Sequence, residues 1–302
     1  MEMLVTMKEI LDRASQENYG VAAPVAKCEL DARNAIEAAE ELNAPLIVIV
    51  PYTGGYNLVH FGHYLARLCE DAKVPVALNL DHGRNFEDPI LAIRGGFTSI
   101  MVDRSHLPYE ENVREVKELT KIAHAVGVSV EAELGFVGRT NTYNKDDRSN
   151  LTDPQEALRF IEETGVDCLA VAIGTAHGAY AKGVKPKIDF DRLREIKEAT
   201  NHFPLVLHGG SGTGDESLAK VCSMGINKVN IANDLFRSAC EHLANSDMTG
   251  NNAYEIYIRI SEAYKRRLSE LIKVFGSENK AWDVNRRGKA YEKEVFDENT
   301  II

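Results

Sequence analysis

Short apolar, β-branched runs recur along this chain at 21–26, 45–50, 74–80, 98–102, 128–134, 166–173, 204–207 and 228–231. Their length and composition mark each as a buried strand. Most of the intervening stretches have helical amphipathicity. In residues 30–42, Ala32, Ala35, Ile36, Ala39 and Leu42 fall on one side, and Arg33, Glu37, Glu40 and Glu41 on the other. Strands that are apolar on both faces need cover on both faces, which is the condition of a parallel sheet wrapped by helices. Eight such units predict an α/β fold, a closed (β/α)8 TIM barrel, with a doubly wound open sheet as the alternative. Helical, partly apolar segments at 235–243 and 254–274 go beyond what an eighth barrel helix requires and predict a C-terminal helical extension. No linker or repeat interrupts the pattern, so 1–302 is expected to be a single domain.

A barrel places its chemistry just past the C-terminal ends of its strands. The polar residues obey that rule. Asp81 and His82 end the third run, Asp103 the fourth, Glu131 and Glu133 sit in the fifth, His177 follows the sixth, His208 the seventh, and Asn230 to Asn233 the eighth. His82, His177 and His208 each follow an apolar run and precede a glycine. Three neutral imidazoles from separate strands can hold a divalent ion, with zinc (Zn2+) favoured, and leave positions open for a substrate. A structural zinc site would use four ligands with short spacings such as Cys-x-x-Cys, and the sequence has no such pair. His60, His63, His106, His124, His202 and His242 lie in helical or loop context and carry no comparable signal.

The seventh and eighth loops of a barrel commonly bind phosphate. Here they read Gly209-Gly-Ser-Gly-Thr-Gly214 and Asn230-Ile-Ala-Asn-Asp234. Gly209 and Gly210 let the backbone approach an anion, Ser211 and Asn233 can donate hydrogen bonds, and a helix starting beyond Asn233 adds the positive end of its dipole. No Gly-Lys-Ser/Thr follows, which excludes a nucleotide P-loop.

Composition narrows the partners. A formal net charge of −11 argues against a non-specific nucleic-acid binder without excluding a small phosphorylated ligand at a local positive site. Five widely spaced cysteines fit buried thiols in a reducing compartment. The opening residues carry no signal-peptide or membrane-span pattern, so the expected location is cytoplasmic, with no membrane partner.

Several segments together resemble the class II, zinc-dependent fructose/tagatose bisphosphate aldolases. They are Leu80-Asp-His-Gly83, Ser105-His-Leu-Pro-Tyr-Glu-Glu-Asn112, Val130-Glu-Ala-Glu-Leu-Gly135, Ile173-Gly-Thr-Ala-His-Gly-Ala-Tyr180, Leu207-His-Gly-Gly-Ser-Gly212 and Lys228-Val-Asn230, and the likeness runs from about Met7 to about Glu270. The resemblance implies that His82, His177 and His208 ligate zinc and that Asp81 is the catalytic acid/base. It implies that Gly178, Gly209, Gly210, Ser211 and Asn233 cradle the C1 phosphate of a ketose phosphosugar, with a monovalent cation (Na+ or K+) alongside. It further implies that Asn230 hydrogen-bonds the enediolate and that the chain forms a homodimer or homotetramer. For Asp103 and Glu133 two readings stand, a second metal position and a buried network supporting the histidines.

The chain also departs from that family's pattern. Asn233 stands where Ser or Thr is usual, and Ala232 resembles the tagatose-type members. After the fifth strand the usual Gly-Gly-x-Glu is replaced by Phe136-Val-Gly-Arg-Thr-Asn-Thr-Tyr-Asn-Lys-Asp-Asp-Arg148, where Asp146 or Asp147 can stand in for the loop carboxylate. The tail reads Asp283-Val-Asn285, leaving Arg286 or Arg287 to replace an arginine that in relatives reaches the distal phosphate. Tyr52, Thr53, Gly54 and Arg104 are expected to face the substrate pocket, which points to an unusual aldehyde partner. The expected reaction is cleavage of a ketose (bis)phosphate to dihydroxyacetone phosphate and an aldehyde, with tagatose-type configuration ahead and a ketose 1-phosphate close behind. A phosphosugar isomerase or epimerase, and a non-catalytic phosphosugar-binding protein, are the alternatives.

Overall fold

The computed structural model describes residues 3–55, 57–142, 144, 148–181 and 183–284. Its strands are β1 (Val21–Pro24), β2 (Leu46–Pro51), β3 (Val76–Gly83), β4 (Ser99–Val102), β5 (Ser129–Leu134), β6 (Cys168–Val171), β7 (Leu205–Leu207) and β8 (Ile226–Ile231). All pair in parallel, in the order β1-β8-β7-β6-β5-β4-β3-β2. The ring closes between β1 and β2, where Val25 bridges Ile49 and the Ala26 N–H donates to the Ile49 carbonyl at 2.8 Å. Nearly every strand residue is buried, as double-sided cover demands.

Helices α1 (Met7–Glu17), α2 (Glu29–Glu41), α3 (Leu58–Glu70), α4 (Glu87–Arg94) and α5 (Tyr109–Ala125) occupy the first half of the chain. The second half supplies α6 (Pro154–Thr164), α7 (Phe190–Ala199), α8 (Asp215–Ser223), α9 (Asn233–Ala244) and α10 (Ile256–Phe275). Their limits follow local chemistry. In α6 the Asp153 carboxylate accepts from the N–H groups of Gln155 and Glu156, Pro154 supplies the first turn, and Gly165 ends the helix at φ +72°. Helix α1 packs against β3, β5 and β8, and its Met7 N–H donates to Ser99 Oγ at 2.8 Å, so it closes the N-terminal end of the barrel. The barrel is therefore sealed at one end, leaving the strand C-termini as its working face.

Of the two helices beyond β8, α10 packs against β1, α2 and α8, and so takes the eighth place in the outer ring. Helix α9 lies outside, against α10. The predicted extension is present, with its second helix serving the barrel itself. No helix among the described residues is long and apolar enough to cross a membrane.

Candidate metal centre and active site

His82 lies inside β3, at φ +55°, in the left-handed region that side chains other than glycine rarely adopt. The β3–β4 register shifts between Leu80 and Gly83, and this irregularity turns the His82 ring toward the barrel axis. The glycine that follows is forced by packing. A Cβ on Gly83 would lie 2.8 Å from Leu80 Cδ2 and 2.9 Å from the Met101 carbonyl oxygen.

The rings of His82, His177 and His208 meet edge to face, with centroids 4.8 Å, 4.8 Å and 5.3 Å apart. One ligand atom from each, together with a carboxylate oxygen of Glu133, lies within 4.8 Å of all the others. Each donor is aimed by a neighbour. His82 Nδ1 pairs with Asp103 Oδ2 at 2.8 Å, leaving Nε2 for the centre. His208 Nε2 pairs with Glu131 Oε1 at 2.9 Å, leaving Nδ1 for the centre. His177 is held through its backbone, where its N–H donates to the Gly138 carbonyl at 2.8 Å and its carbonyl accepts from the Thr140 N–H at 2.9 Å. The loop after β5 is thereby clamped to the loop after β6.

Two buried atoms in this cluster lack a hydrogen-bond partner among the described residues, His208 Nδ1 and Glu133 Oε2. They stand 3.4 Å apart. Leaving such groups unpaired in a buried site is costly unless something else binds them. A divalent cation would satisfy both, and three imidazoles with one carboxylate are a donor set that would suit zinc. Asp103 therefore sits behind His82, whereas Glu133 belongs to the donor cluster.

Burial opposes protonation of His82, but the carboxylates of Asp81, Asp103 and Glu133 outweigh it and raise its pKa to about 9. His177 is kept neutral by its burial and by the two neighbouring imidazoles. Burial pushes the Glu133 carboxyl upward, only partly offset by His208. Burial acts the same way on Glu131, yet Lys228 and His208 hold that carboxylate below its usual range. Lys228 Nζ, fully buried, donates to Glu131 Oε2 at 2.6 Å.

Asp81 is buried beside the cluster, its Oδ1 accepting from Asn230 Nδ2 at 3.1 Å and lying 4.0 Å from His82 Nε2. A cavity of ≈ 160 Å³ joins Asp81, His82 and His177 to Gly178, Gly209, Ser211, Asn230 and Asn233. Gly209 adopts φ +68° and lies too close to the Ala176 backbone for any Cβ. The N–H groups of Gly178, Gly209 and Ser211 have no partner among the described residues. Ser211 Oγ accepts from the N–H groups of Ala232 and Asp234, both at 3.2 Å, so its own hydrogen is free to point into the cavity. The N–H of Gly210 is taken by the Asn230 carbonyl at 3.3 Å, and that of Gly212 by Asp234 Oδ1 at 3.0 Å. Asn233 opens α9 on the rim of this cavity. The amides of Gly178, Gly209 and Ser211 and the Ser211 hydroxyl could receive an anion, and they face the cluster whose donors could hold a metal ion.

Arg104 is not on the pocket, contrary to expectation. It is buried, donating from Nη1 to the Gly83 carbonyl (2.8 Å) and the Asp103 carbonyl (2.9 Å), and from Nη2 to the Asn85 carbonyl (2.9 Å). Its Nε pairs with Glu115 at 2.5 Å. A guanidinium with five donors is well suited to gather backbone carbonyls of this kind. Asp146, Asp147, Arg286 and Arg287 lie outside the described residues. The roles of Glu131 and Lys228 were not read from the sequence. The i, i+2 spacing of Glu131 and Glu133 on β5, which sends both side chains to one face, was the available signal.

Residues 5–280 match the family model for fructose-bisphosphate aldolase class-II. The chain is 39% identical to the fructose-bisphosphate aldolase of Thermus caldophilus, over 92% of this chain and all of that one. It is 38% identical to the enzyme of that name from Geobacillus stearothermophilus, over 92% and 99%. The crystal structure of the YdjI aldolase from Escherichia coli K12 superposes with a TM-score of 0.82 at 33% identity, covering 92% of this chain and all of that one. With matches that span the histidine cluster and the glycine-rich loops of this chain, it belongs to the class II fructose-bisphosphate aldolase family.

Proposed function

We propose that this chain is a zinc-dependent aldolase that cleaves a ketose phosphate between C3 and C4, releasing dihydroxyacetone phosphate and an aldehyde. The observation that carries the reading is the pair of buried, unpartnered donors, His208 Nδ1 and Glu133 Oε2, facing His82 and His177. His82, His177 and His208 hold the ion, with Glu133 as the nearby carboxylate. Bound there, it supplies a Lewis acid for the charge that develops on the ketose carbonyl oxygen as the bond breaks.

The remaining work falls to side chains and amides of this chain. The free N–H groups of Gly178, Gly209 and Ser211, with the Ser211 hydroxyl and Asn233, bind the C1 phosphate and fix the register of the sugar. Asp81 takes the proton from the C4 hydroxyl, the C4–O bond becomes the aldehyde carbonyl, and the C3–C4 electron pair is left on the three-carbon fragment. Asn230 steers the Asp81 carboxylate through its amide. Proton delivery to C3 completes the turnover, and Asp146 or Asp147 is the carboxylate that the sequence offers for it. A monovalent cation beside the phosphate is part of the same reading.

Ala232 lines the cavity without a polar side chain, which favours the tagatose configuration at C4 over fructose. Self-association as a homodimer or homotetramer is supported by exposed apolar side chains at the start of α10 and just before it, where Tyr254, Tyr257 and Ile258 are 88%, 67% and 58% accessible. A cytoplasmic location completes the proposal. The test is incubation of the zinc-loaded protein with fructose and tagatose 1,6-bisphosphates and their 1-phosphates, reading dihydroxyacetone phosphate. Release of that product, abolished by a chelator and not trapped by borohydride, supports the reading. Conversion without a carbon fragment identifies an isomerase, and binding without turnover identifies a sensor.

A further inference from the structure

We propose that Arg84 binds an anionic group at the far end of the substrate, a phosphate or a carboxylate, and so selects ketose 1-phosphates that carry a second negative charge. The inference rests on the aldolase reading above and extends it to the other end of the sugar.

The direction of the substrate follows from strand order. The anion loops follow β7 and β8, the histidine cluster lies near the axis, and Asp81 stands at the end of β3. A ketose with its C1 phosphate on those loops and its C4 hydroxyl at Asp81 therefore has its last carbons directed toward the loops after β2 and β3. Tyr52 follows β2, and Arg84 follows β3. Lys185 and Arg237, in contrast, line a neighbouring cavity with Ser211 and Asn233, at the C1 end.

Arg84 is placed to receive an anion. Its Nε stands 3.5 Å from Asp103 Oδ2, and its guanidinium carbon lies 5.8 Å from the Tyr52 ring centroid. The side chain is 45% accessible, and its terminal nitrogens make no hydrogen bond among the described residues. The backbone on either side is held, because Arg104 binds the carbonyls of both Gly83 and Asn85. The fork thus has a fixed base, an aromatic wall and two unused donor groups, as bidentate recognition of phosphate or carboxylate requires. Asp81, Asp103 and Glu133 crowd this side of the pocket with negative charge, so an anionic tail needs a cation there.

The experiment compares the zinc-loaded wild type with Arg84→Gln and Arg84→Lys on three ketoses of the same configuration, in both the fructose and tagatose series. One ends in a C6 phosphate, one in a C6 carboxylate and one in a neutral hydroxymethyl group, all with a C1 phosphate. Arg84→Gln should lower kcat/KM by about 10- to 100-fold for an anionic-ended ketose, through KM, and change the neutral-ended one by less than about twofold. Arg84→Lys should recover part of the loss, and zinc content should match wild type. Which anionic substrate shows the drop distinguishes phosphate from carboxylate. An equal fall on all three ketoses, loss of zinc, or no fall on either anionic ketose overturns the proposal. If wild type cleaves none of the three, the aldolase reading falls first and this inference with it.

Discussion

His208 and Glu131 meet at 2.9 Å in the closed interior of the barrel, and both side chains are fully buried. That contact fixes which imidazole nitrogen carries the proton. With Nε2–H donated to Glu131, the Nδ1 lone pair faces His82, His177 and Glu133. The second oxygen of Glu131 is held by Lys228, so the geometry around His208 is set from two strands, β5 and β8, and the loop after β7.

Replacing Glu131 by Ala should therefore weaken zinc binding by about 10- to 100-fold. It should also destabilise the metal-free fold by about 3–5 kcal/mol, because Lys228 is left as an unpaired buried cation. Glu131→Gln, which keeps the shape, should lose metal affinity with a smaller loss of stability. Competition against a chromophoric chelator and denaturant melts of the apoprotein read the two effects separately. Wild-type affinity in Glu131→Ala would mean that His208 is oriented by its backbone alone.

Metal uptake should release protons. In the metal-free protein the His82 pKa lies near 9, above its usual 6.5, so the ring is charged at neutral pH and must lose its proton to bind an ion. Affinity is then expected to fall as pH drops below about 9. About one proton should be released at pH 7–8, measurable by calorimetry in buffers of different ionisation enthalpy. The sign for stability is opposite. A raised pKa contributes stability to the apoprotein that is fully present below about 6.5 and lost as pH rises through about 9. Metal affinity that does not change between pH 6.5 and 8.5 would contradict this.

Asp81→Asn should retain zinc and the wild-type melting temperature while lowering kcat by about 100- to 10,000-fold, the range for a lost general acid/base. The Asn230 amide can still bond the new side chain's oxygen, so the cavity should keep its shape. A variant with wild-type turnover would remove Asp81 from the chemistry.

Gly83→Ala tests the turn that aims His82. The added methyl would press on the Met101 carbonyl oxygen and Leu80, and overpacking of this kind costs about 1–3 kcal/mol. The expected result is a lower melting temperature together with weaker zinc binding, because the β3–β4 bulge has to shift. Wild-type affinity at reduced stability would show that the His82 conformation does not depend on this contact.

The barrel was legible because every strand is buried on both sides, and its apolar runs stand out against the charged helices between them. Strand ends were read less well: β3 was read to 80 although it runs to Gly83, and β8 was read from 228 although it begins at Ile226. Asn227 and Lys228 are polar residues that the barrel accepts because Asn227 bonds Lys197 and the Tyr19 carbonyl, and Lys228 bonds Glu131. Those partners lie from 30 to 208 positions away along the chain, and no local pattern reports them. The three histidines were legible for the opposite reason, since each lies near or beyond the C-terminal end of its own strand and topology alone brings them together. Periodicity did not separate Asp103 from Glu133, which differ by which side of a histidine ring they touch. Nor did it foresee that Arg104 would turn inward to bind carbonyls.

The place of α10 in the outer ring bears on the order in which this chain can fold. The outer surface of β1 and the flank of α2 are covered by the last of the described helices, which ends at Phe275, so the first strand waits for that helix to be synthesised. During synthesis the early half exposes an apolar face with no local partner, and the barrel can shut only when its two distant ends meet. A nascent chain stalled before residue 256 should therefore hold a barrel with one uncovered seam, prone to recruit another chain or a chaperone in place of its own missing helix.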